Sequence, residues 1–232
     1  MVKKRFIVTG SSGAIGNLLV NELSESNKVD AIYSTNAPSA MISDDIRTIK
    51  IDLTDHKSIS EYVALLKGSE EEIVFIHAAA LSLDKLIIDV NHEELINTFS
   101  VNLFSAFAFV KHLIPIMLAK GEGSFIFLSS VTPDLQIPGT SVYSASKVAL
   151  EQLSNQIVSE YSQFNIRSNV LKLGYFNSGM IKKLSPKVFT SIIERIPSKN
   201  LGEISDIPKI IKLIVESSYI NGSVISIDGG IN

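Results

Sequence analysis

The sequence predicts a single-domain α/β protein built on a doubly wound parallel sheet, spanning residues 1–232. Short apolar runs alternate with stretches of helical apolar spacing along the whole chain, and that alternation builds parallel βαβ units. A glycine-rich turn at residues 9–16 lies between the first apolar run and the first helical stretch. No repeat, linker or low-complexity segment interrupts 232 residues that are 45% hydrophobic, enough chain for one sizeable core.

Each element follows from its pattern. Phe6, Ile7 and Val8 form the first strand, and Leu18, Leu19, Val20 and Leu23 then recur at helical spacing. Strands are expected at residues 29–33 and 46–51, a helix at 58–66, and a fourth strand at 73–76. One long helix fits 93–119, with Pro115 near its end, followed by a strand at 125–128 and a helix at 142–162. A sixth strand at 166–173 precedes an irregular, partly helical segment at 174–200. A helix at 206–216 and a strand at 224–227 complete the chain.

The bulk numbers exclude several classes. A net charge of −3, from 21 basic and 24 acidic residues, is no electrostatic footprint for nucleic acid. The absence of cysteine excludes disulfides, thiolate metal sites and cysteine nucleophiles, and no metal site is expected. The basic start and short apolar run stop at Thr9 and Gly10, too soon for a signal peptide. No segment approaches the ~18 apolar residues of a membrane span. The expectation is a cytoplasmic protein with no membrane or nucleic-acid partner.

The chemistry concentrates between residues 130 and 147. Ser130 ends an apolar strand, and Tyr143 and Lys147 are four apart on the next helix, hence on one face. The end of a strand beside the start of a helix is where an open α/β sheet forms its crevice. A tyrosine hydroxyl titrates near ~10. Bringing it to ~7 takes roughly 4 kcal/mol of differential interaction, which an ammonium one turn away and a positively charged cofactor ring could supply together. A serine holding a substrate oxygen beside that tyrosine makes an acid/base site for a carbonyl/alcohol pair. The glycine turn, directly after a strand and opening a helix, fits a pyrophosphate on the helix N-terminus.

Together these residues resemble the short-chain dehydrogenase/reductase family over essentially the full length, with its Rossmann-like fold. The resemblance rests on an ordered set: the glycine turn, Asp52-Leu53, residues 77–80, Val101-Asn102-Leu103, Ser130, Tyr143 and Lys147, then Ser226-Ile227-Asp228-Gly229-Gly230. The intervals of 13 from Ser130 to Tyr143 and 4 from Tyr143 to Lys147 are those of the classical subfamily. The resemblance implies that Tyr143 is the general acid or base and that Lys147 lowers its pKa and binds the nicotinamide ribose. It further implies that Ser130 orients the substrate oxygen and that Asn102 holds a water in a relay ending at Lys147. By the same resemblance Gly10, Ser12, Gly13, Ile15 and Gly16 cradle the cofactor phosphates. Ser34 and Thr35 face the adenosine ribose, Asp52 and Leu53 the adenine, and Ala78 and Ala79 line the cofactor. Gly174 and Ser178 stand near the nicotinamide.

There are departures. The glycine spacing is Thr-Gly-x-x-Gly-x-x-Gly and His77-Ala78-Ala79-Ala80 replaces Asn-Asn-Ala-Gly, both with the flavour of the extended subfamily. Extended enzymes carry a larger C-terminal domain, for which there is no room after Lys147. His77 is expected to be structural. Leu173-Gly174 stands where the family has Pro-Gly.

The reading is an NAD(P)-dependent oxidoreductase that interconverts a carbonyl and an alcohol, with a 3-oxoacyl thioester, a sugar or a small alcohol as the substrate class. The alternatives are a catalytically silent cofactor-binding regulator and a nucleotide-sugar epimerase or dehydratase. NADP is the expected cofactor, with NAD as the alternative. Residues 33–36 carry no acid for a ribose 2′-hydroxyl, and Asp30 falls at the wrong end of its strand. No Arg or Lys for a 2′-phosphate lies at residues 11–12 or 33–40. The apolar residues Phe176, Met180, Ile181, Leu184, Phe189 and Ile193 suggest a lid. A homotetramer or homodimer is expected, because Leu150, Leu153, Ile157 and Tyr161 on one helix, and Phe104, Phe107 and Phe109 on another, exceed what one sheet face needs.

Overall fold

The computed structural model describes residues 4–39, 43–178, 181 and 185–231. Seven strands form one parallel sheet: β1 (Lys4–Thr9), β2 (Lys28–Tyr33), β3 (Ile46–Lys50), β4 (Glu72–His77), β5 (Gly123–Ser130), β6 (Ile166–Leu173) and β7 (Val224–Ile227). Their order is β3-β2-β1-β4-β5-β6-β7. The order reverses between β1 and β4, and such a switch point opens a crevice at the carboxyl ends of the strands.

The helices cover both faces, so the central strands are buried throughout, as a parallel sheet requires. Helices α1 (Ala14–Ser24) and α8 (Asp206–Glu216) pack one face, where Leu19, Leu23, Ile211 and Ile214 meet Val8, Ile76 and Ile126. The other face carries α2 (His56–Ala64), α4 (Ser105–Lys120) and α6 (Ser141–Tyr161). Phe75 stacks on Phe109 at 4.8 Å between ring centroids and meets Phe125 and Phe127 edge-on, so an aromatic layer fixes α4 against the sheet centre. Two more helices, α5 (Thr132–Leu135) and α7 (Pro186–Arg195), lie in the loops after β5 and β6. Residues 34–45 join β2 to β3 with no helix among those described.

Three differences from the sequence reading stand out. The helix expected at 93–119 is interrupted: α3 (His92–Phe99) passes through a π turn, Ser100–Phe104, into α4. The Ser105 amide donates to the Ser100 carbonyl, one residue further back than in an α-helix. That helix, His92–Lys120, is also long and apolar enough to cross a membrane by length and composition, whereas the sequence leads one to expect no such segment. Its apolar content is explained by the core, since 56% of the most apolar window is buried.

The interface residues also divide. Leu150, Ile157 and Phe109 are fully or almost fully buried in this chain's own core, and Leu153 and Tyr161 pack against it. Phe104, Phe107 and Val148 stay exposed, at 40%, 56% and 51%. Helical spacing marks an apolar stripe but does not say whether the sheet or a second chain covers it.

Asp30 is fully buried in the middle of β2, paired in register with Ile7 and Arg47. Arg5 donates to it at 3.0 Å, Arg47 through two nitrogens at 3.1 and 2.6 Å, and the Tyr62 hydroxyl at 2.6 Å. This carboxylate ties β1, β2, β3 and α2 together well below the strand ends, consistent with its exclusion from a ribose contact.

Candidate active site

The glycine turn is shaped by close approach. Gly10 has φ +68°, and a Cβ there would sit 2.7 Å from the Ala79 backbone, so the ends of β1 and β4 meet across it. A Cβ on Gly16 would sit 2.2 Å from the Gly10 carbonyl oxygen, so the first turn of α1 coils directly on the loop. Gly13 precedes α1 without a side-chain cap, and the first turn holds no acid. Helix donors therefore face the crevice with no internal carboxylate to answer them, which fits an anionic pyrophosphate. Ser11 binds the Ile32 carbonyl and Ser12 the Asn36 carbonyl, at 2.9 and 2.6 Å, which ties this loop to the one carrying Ser34 and Thr35.

Next to it His77 is a structural tie. Its Nδ1 lies 3.0 Å from the Thr9 hydroxyl and its Nε2 3.2 Å from the Asn102 carbonyl. Complete burial, with the Lys147 charge adding to it, pushes its pKa down to about 3. The ring is therefore neutral, its Nε2–H donating to Asn102 and its Nδ1 accepting from Thr9. The Thr9 hydroxyl also accepts from the Ala79 amide at 3.3 Å. The strand ends that lost the family's paired asparagines are thus joined through one histidine and one threonine.

Asn102 sits in the π turn with its amide fully engaged. Its Oδ1 accepts from the Leu81 amide at 2.7 Å, and its Nδ2 donates to the Leu81 carbonyl and the Ser146 hydroxyl at 3.0 and 2.9 Å. It thereby links the loop after β4 to α6. Ser146, which the sequence reading missed, lies between Tyr143 and Lys147.

The structure brings Ser130, Tyr143 and Lys147 together where β5 ends beside α6. Lys147 is 2% exposed, its Nζ donates to the Leu128 carbonyl at 2.8 Å, and it lies 5.5 Å from the centroid of the Tyr143 ring. Burial pushes its pKa down to about 8, so the ammonium still prevails at pH 7. For the Tyr143 hydroxyl, burial raises the pKa, a hydrogen bond with Ser130 opposes the rise, and Asp84 adds to it. Without the cofactor ring that the expectation pairs with the lysine, the phenol lies above its ordinary value. Lys147 faces the ring and a carbonyl, and desolvation outweighs it. The Ser130 hydroxyl also exchanges a 2.7 Å hydrogen bond with Thr132, a neighbour that the sequence did not single out.

The remaining positions are mixed. Leu53 is buried, while Asp52 is exposed and accepts from the Thr54 amide and hydroxyl. Ala79 is buried and Ala78 half-buried at the crevice floor. A Cβ on Gly174 would sit 2.6 Å from the Asp228 Cα, so that glycine lets β6 pass close to the turn after β7. The Ser178 amide bonds back to the Phe176 carbonyl at 2.7 Å. Of the expected lid, Phe176 is buried in the core beside Gly202 and Ile181 is also buried, whereas Phe189 is exposed. Met180 and Leu184 lie outside the described residues.

Known proteins are similar to this chain in sequence and fold. A family model described as enoyl-(acyl carrier protein) reductase matches residues 19–232. A 3-oxoacyl-(acyl-carrier-protein) reductase FabG of Buchnera aphidicola is 28% identical, over 98% of this chain and 97% of that protein. A tropinone reductase homologue of Arabidopsis thaliana is also 28% identical, over 98% and 91%. A solved structure from Agrobacterium tumefaciens, provisionally assigned as a gluconate dehydrogenase, shares the fold. Its TM-score is 0.88 at 21% identity, covering 98% of this chain and 95% of that one. The matched length, the parallel sheet with its switch point, and a Ser-Tyr-Lys group at the end of β5 lead to one assignment: the chain belongs to the short-chain dehydrogenase/reductase family, as an oxidoreductase that acts on a small molecule with a nicotinamide cofactor.

Proposed function

We propose that the protein reduces the ketone of a 3-oxoacyl thioester with NADPH, Tyr143 delivering the proton. The observation that carries the acid/base reading is the buried Lys147 5.5 Å from the centroid of the Tyr143 ring, with Ser130 drawing the pKa of the phenol down. Tyr143 donates to the carbonyl oxygen in reduction and accepts from the alcohol in oxidation. Ser130 holds that oxygen, and Lys147 binds the nicotinamide ribose. With the Asn102 amide taken up by Leu81 and Ser146, the water that leads from Lys147 to solvent falls to the second lone pair of its backbone carbonyl. When bound, the nicotinamide supplies the hydride and, oxidised, a positive charge that favours the phenolate. The 3-oxoacyl-(acyl-carrier-protein) reductases among the relatives support the thioester, and we place the enzyme in the cytoplasm. The test is a panel of acetoacetyl-CoA, sugars and small alcohols, followed by nicotinamide absorbance. NADPH consumption with acetoacetyl-CoA supports the proposal. Turnover of a sugar or alcohol instead replaces the substrate, and binding without turnover of any of them returns the silent regulator.

The preference for NADP gains a cation that the local sequence lacks. Lys50 ends β3 in register with Tyr33 at the end of β2. Ile49 and Ile32 face the α4 side, so Lys50 and Tyr33 share the opposite face, the side of α1. Lys50 is exposed and has no ion-pair partner among the described residues, so it is free to meet a 2′-phosphate beside Ser34 and Thr35. Lys50→Ala is expected to weaken NADPH binding about tenfold, worth about 1.4 kcal/mol, and to leave NADH binding unchanged, as read by titration of nicotinamide fluorescence. A tenfold preference of the parent enzyme for NADH in kcat/KM would reverse the assignment.

A homotetramer or homodimer is proposed on the narrower basis of Phe104, Phe107 and Val148, whose exposed apolar surface lies on neighbouring helices. Light scattering at micromolar concentration should report a multiple of 25.3 kDa, and Phe107→Glu should lower it. A monomeric parent protein would contradict this.

A further inference from the structure

Behind Ser130 lies an ion network that the reaction as described does not use. Glu151 stands one and two helical turns beyond Lys147 and Tyr143, on the same stripe of α6. It accepts from the Ser129 hydroxyl at 2.6 Å and meets Lys172 of β6 at 3.4 Å. Lys172, paired in register with Ser129, also meets Asp134 of α5 at 2.9 Å. The lysine side chain is 11% exposed, Glu151 18% and Asp134 35%, so the cation is largely enclosed between the two carboxylates.

Ser130 sits between the two anchored points. Ser129 is held from one side and Asp134 from the other, and between them the Ser130 hydroxyl meets the Thr132 hydroxyl at 2.7 Å and accepts from the Thr132 amide at 3.1 Å. Helix α5 is a single turn without a side-chain cap, too short to hold its own conformation. It depends on outside ties: the Val131 amide on the Leu173 carbonyl at 3.0 Å, and Asp134 on Lys172. Without the lysine the two carboxylates would repel, and the turn carrying Thr132 would lose its hold on α6.

We propose that Glu151, Lys172 and Asp134 form a clamp that fixes the Ser130 turn against the helix bearing Tyr143, making Lys172 a positioning residue for the reaction. The clamp rests on the acid/base reading of Ser130 and Tyr143. The groups facing the Tyr143 hydroxyl and ring are Ser130 from β5, Asp84 from the loop after β4, and Lys147 from α6. Of these the clamp moves only Ser130. A displaced Ser130 withdraws the one hydrogen bond that opposes the rise of the phenol.

The phenol itself gives the readout, because the chain has no tryptophan and only 6 tyrosines. Ultraviolet titration of tyrosinate in the NADP⁺ complex, taken as the difference between each variant and its Tyr143→Phe counterpart, isolates Tyr143. Lys172→Met should raise its midpoint by about one unit and lower kcat on acetoacetyl-CoA about tenfold, with KM changed little. Lys172→Arg, which can still bridge both carboxylates, should restore both. If Lys172→Met does not fold, Asp134→Asn at the more exposed end should shift the midpoint in the same direction by less. A midpoint unmoved in the folded clamp variant while Ser130→Ala moves it overturns the clamp alone. If Ser130→Ala leaves it in place too, the Ser130–Tyr143 reading fails and the clamp falls with it.

Discussion

Tyr143→Phe should all but stop turnover and leave cofactor affinity nearly intact. The substitution removes one oxygen and keeps the ring over Lys147, so the buried ammonium retains its 5.5 Å neighbour and its bond to Leu128. What is lost is the proton donor, and general acid/base groups typically contribute roughly 10²–10⁴-fold, or about 3–5 kcal/mol of barrier. Lys147→Ala should behave differently, losing activity and cofactor binding together, because the proposed mechanism gives the same side chain both the phenol and the ribose. Steady-state rates and nicotinamide fluorescence titrations separate the two patterns. A purified Tyr143→Phe enzyme that still turns over would remove Tyr143 from the mechanism.

Asp30→Ala should be the most damaging change to stability away from the site. It strips four hydrogen bonds from a fully buried carboxylate and leaves Arg5, Arg47 and the Tyr62 hydroxyl facing one another. Breaking a buried ion pair from one side costs about 3–5 kcal/mol. Arg47, 49% exposed, can swing into water, whereas Arg5 at 14% cannot, which points to the lower half of that range. Asp30→Asn should lose less, because it still offers an acceptor to Arg5. Urea denaturation reads both. A loss under about 1 kcal/mol for the alanine would mean the arginines find other partners.

The strands and helices were legible because buried parallel strands read as continuous apolar runs and helices as periodic ones. The sixth and seventh strands and the last helix were read to the residue. The Ser-Tyr-Lys group was legible because two of its members are one turn apart and the third ends a strand. Other parts left no such mark. Lys50 reaches Tyr33 only through strand register, and Lys172 reaches Glu151 and Asp134 only through the sheet and α5. No local pattern distinguishes those lysines from solvated ones. Leu150, Ile157 and Phe109 read as interface in the sequence and are core in the structure, because apolar spacing carries no information about which partner covers it. The π turn was hidden because its residues are as good for an α-helix as their neighbours.

That π turn makes this region a place where robustness and activity pull against each other. The turn widens the helix by one residue so that the Asn102 amide can reach Leu81 and Ser146 and its carbonyl can meet His77. A regular α-helix through residues 100–104 would gain backbone hydrogen bonding but would rotate that amide out of reach. Engineering for thermal tolerance alone would favour deleting the extra residue, and would unfasten the loop after β4 from α6 in doing so.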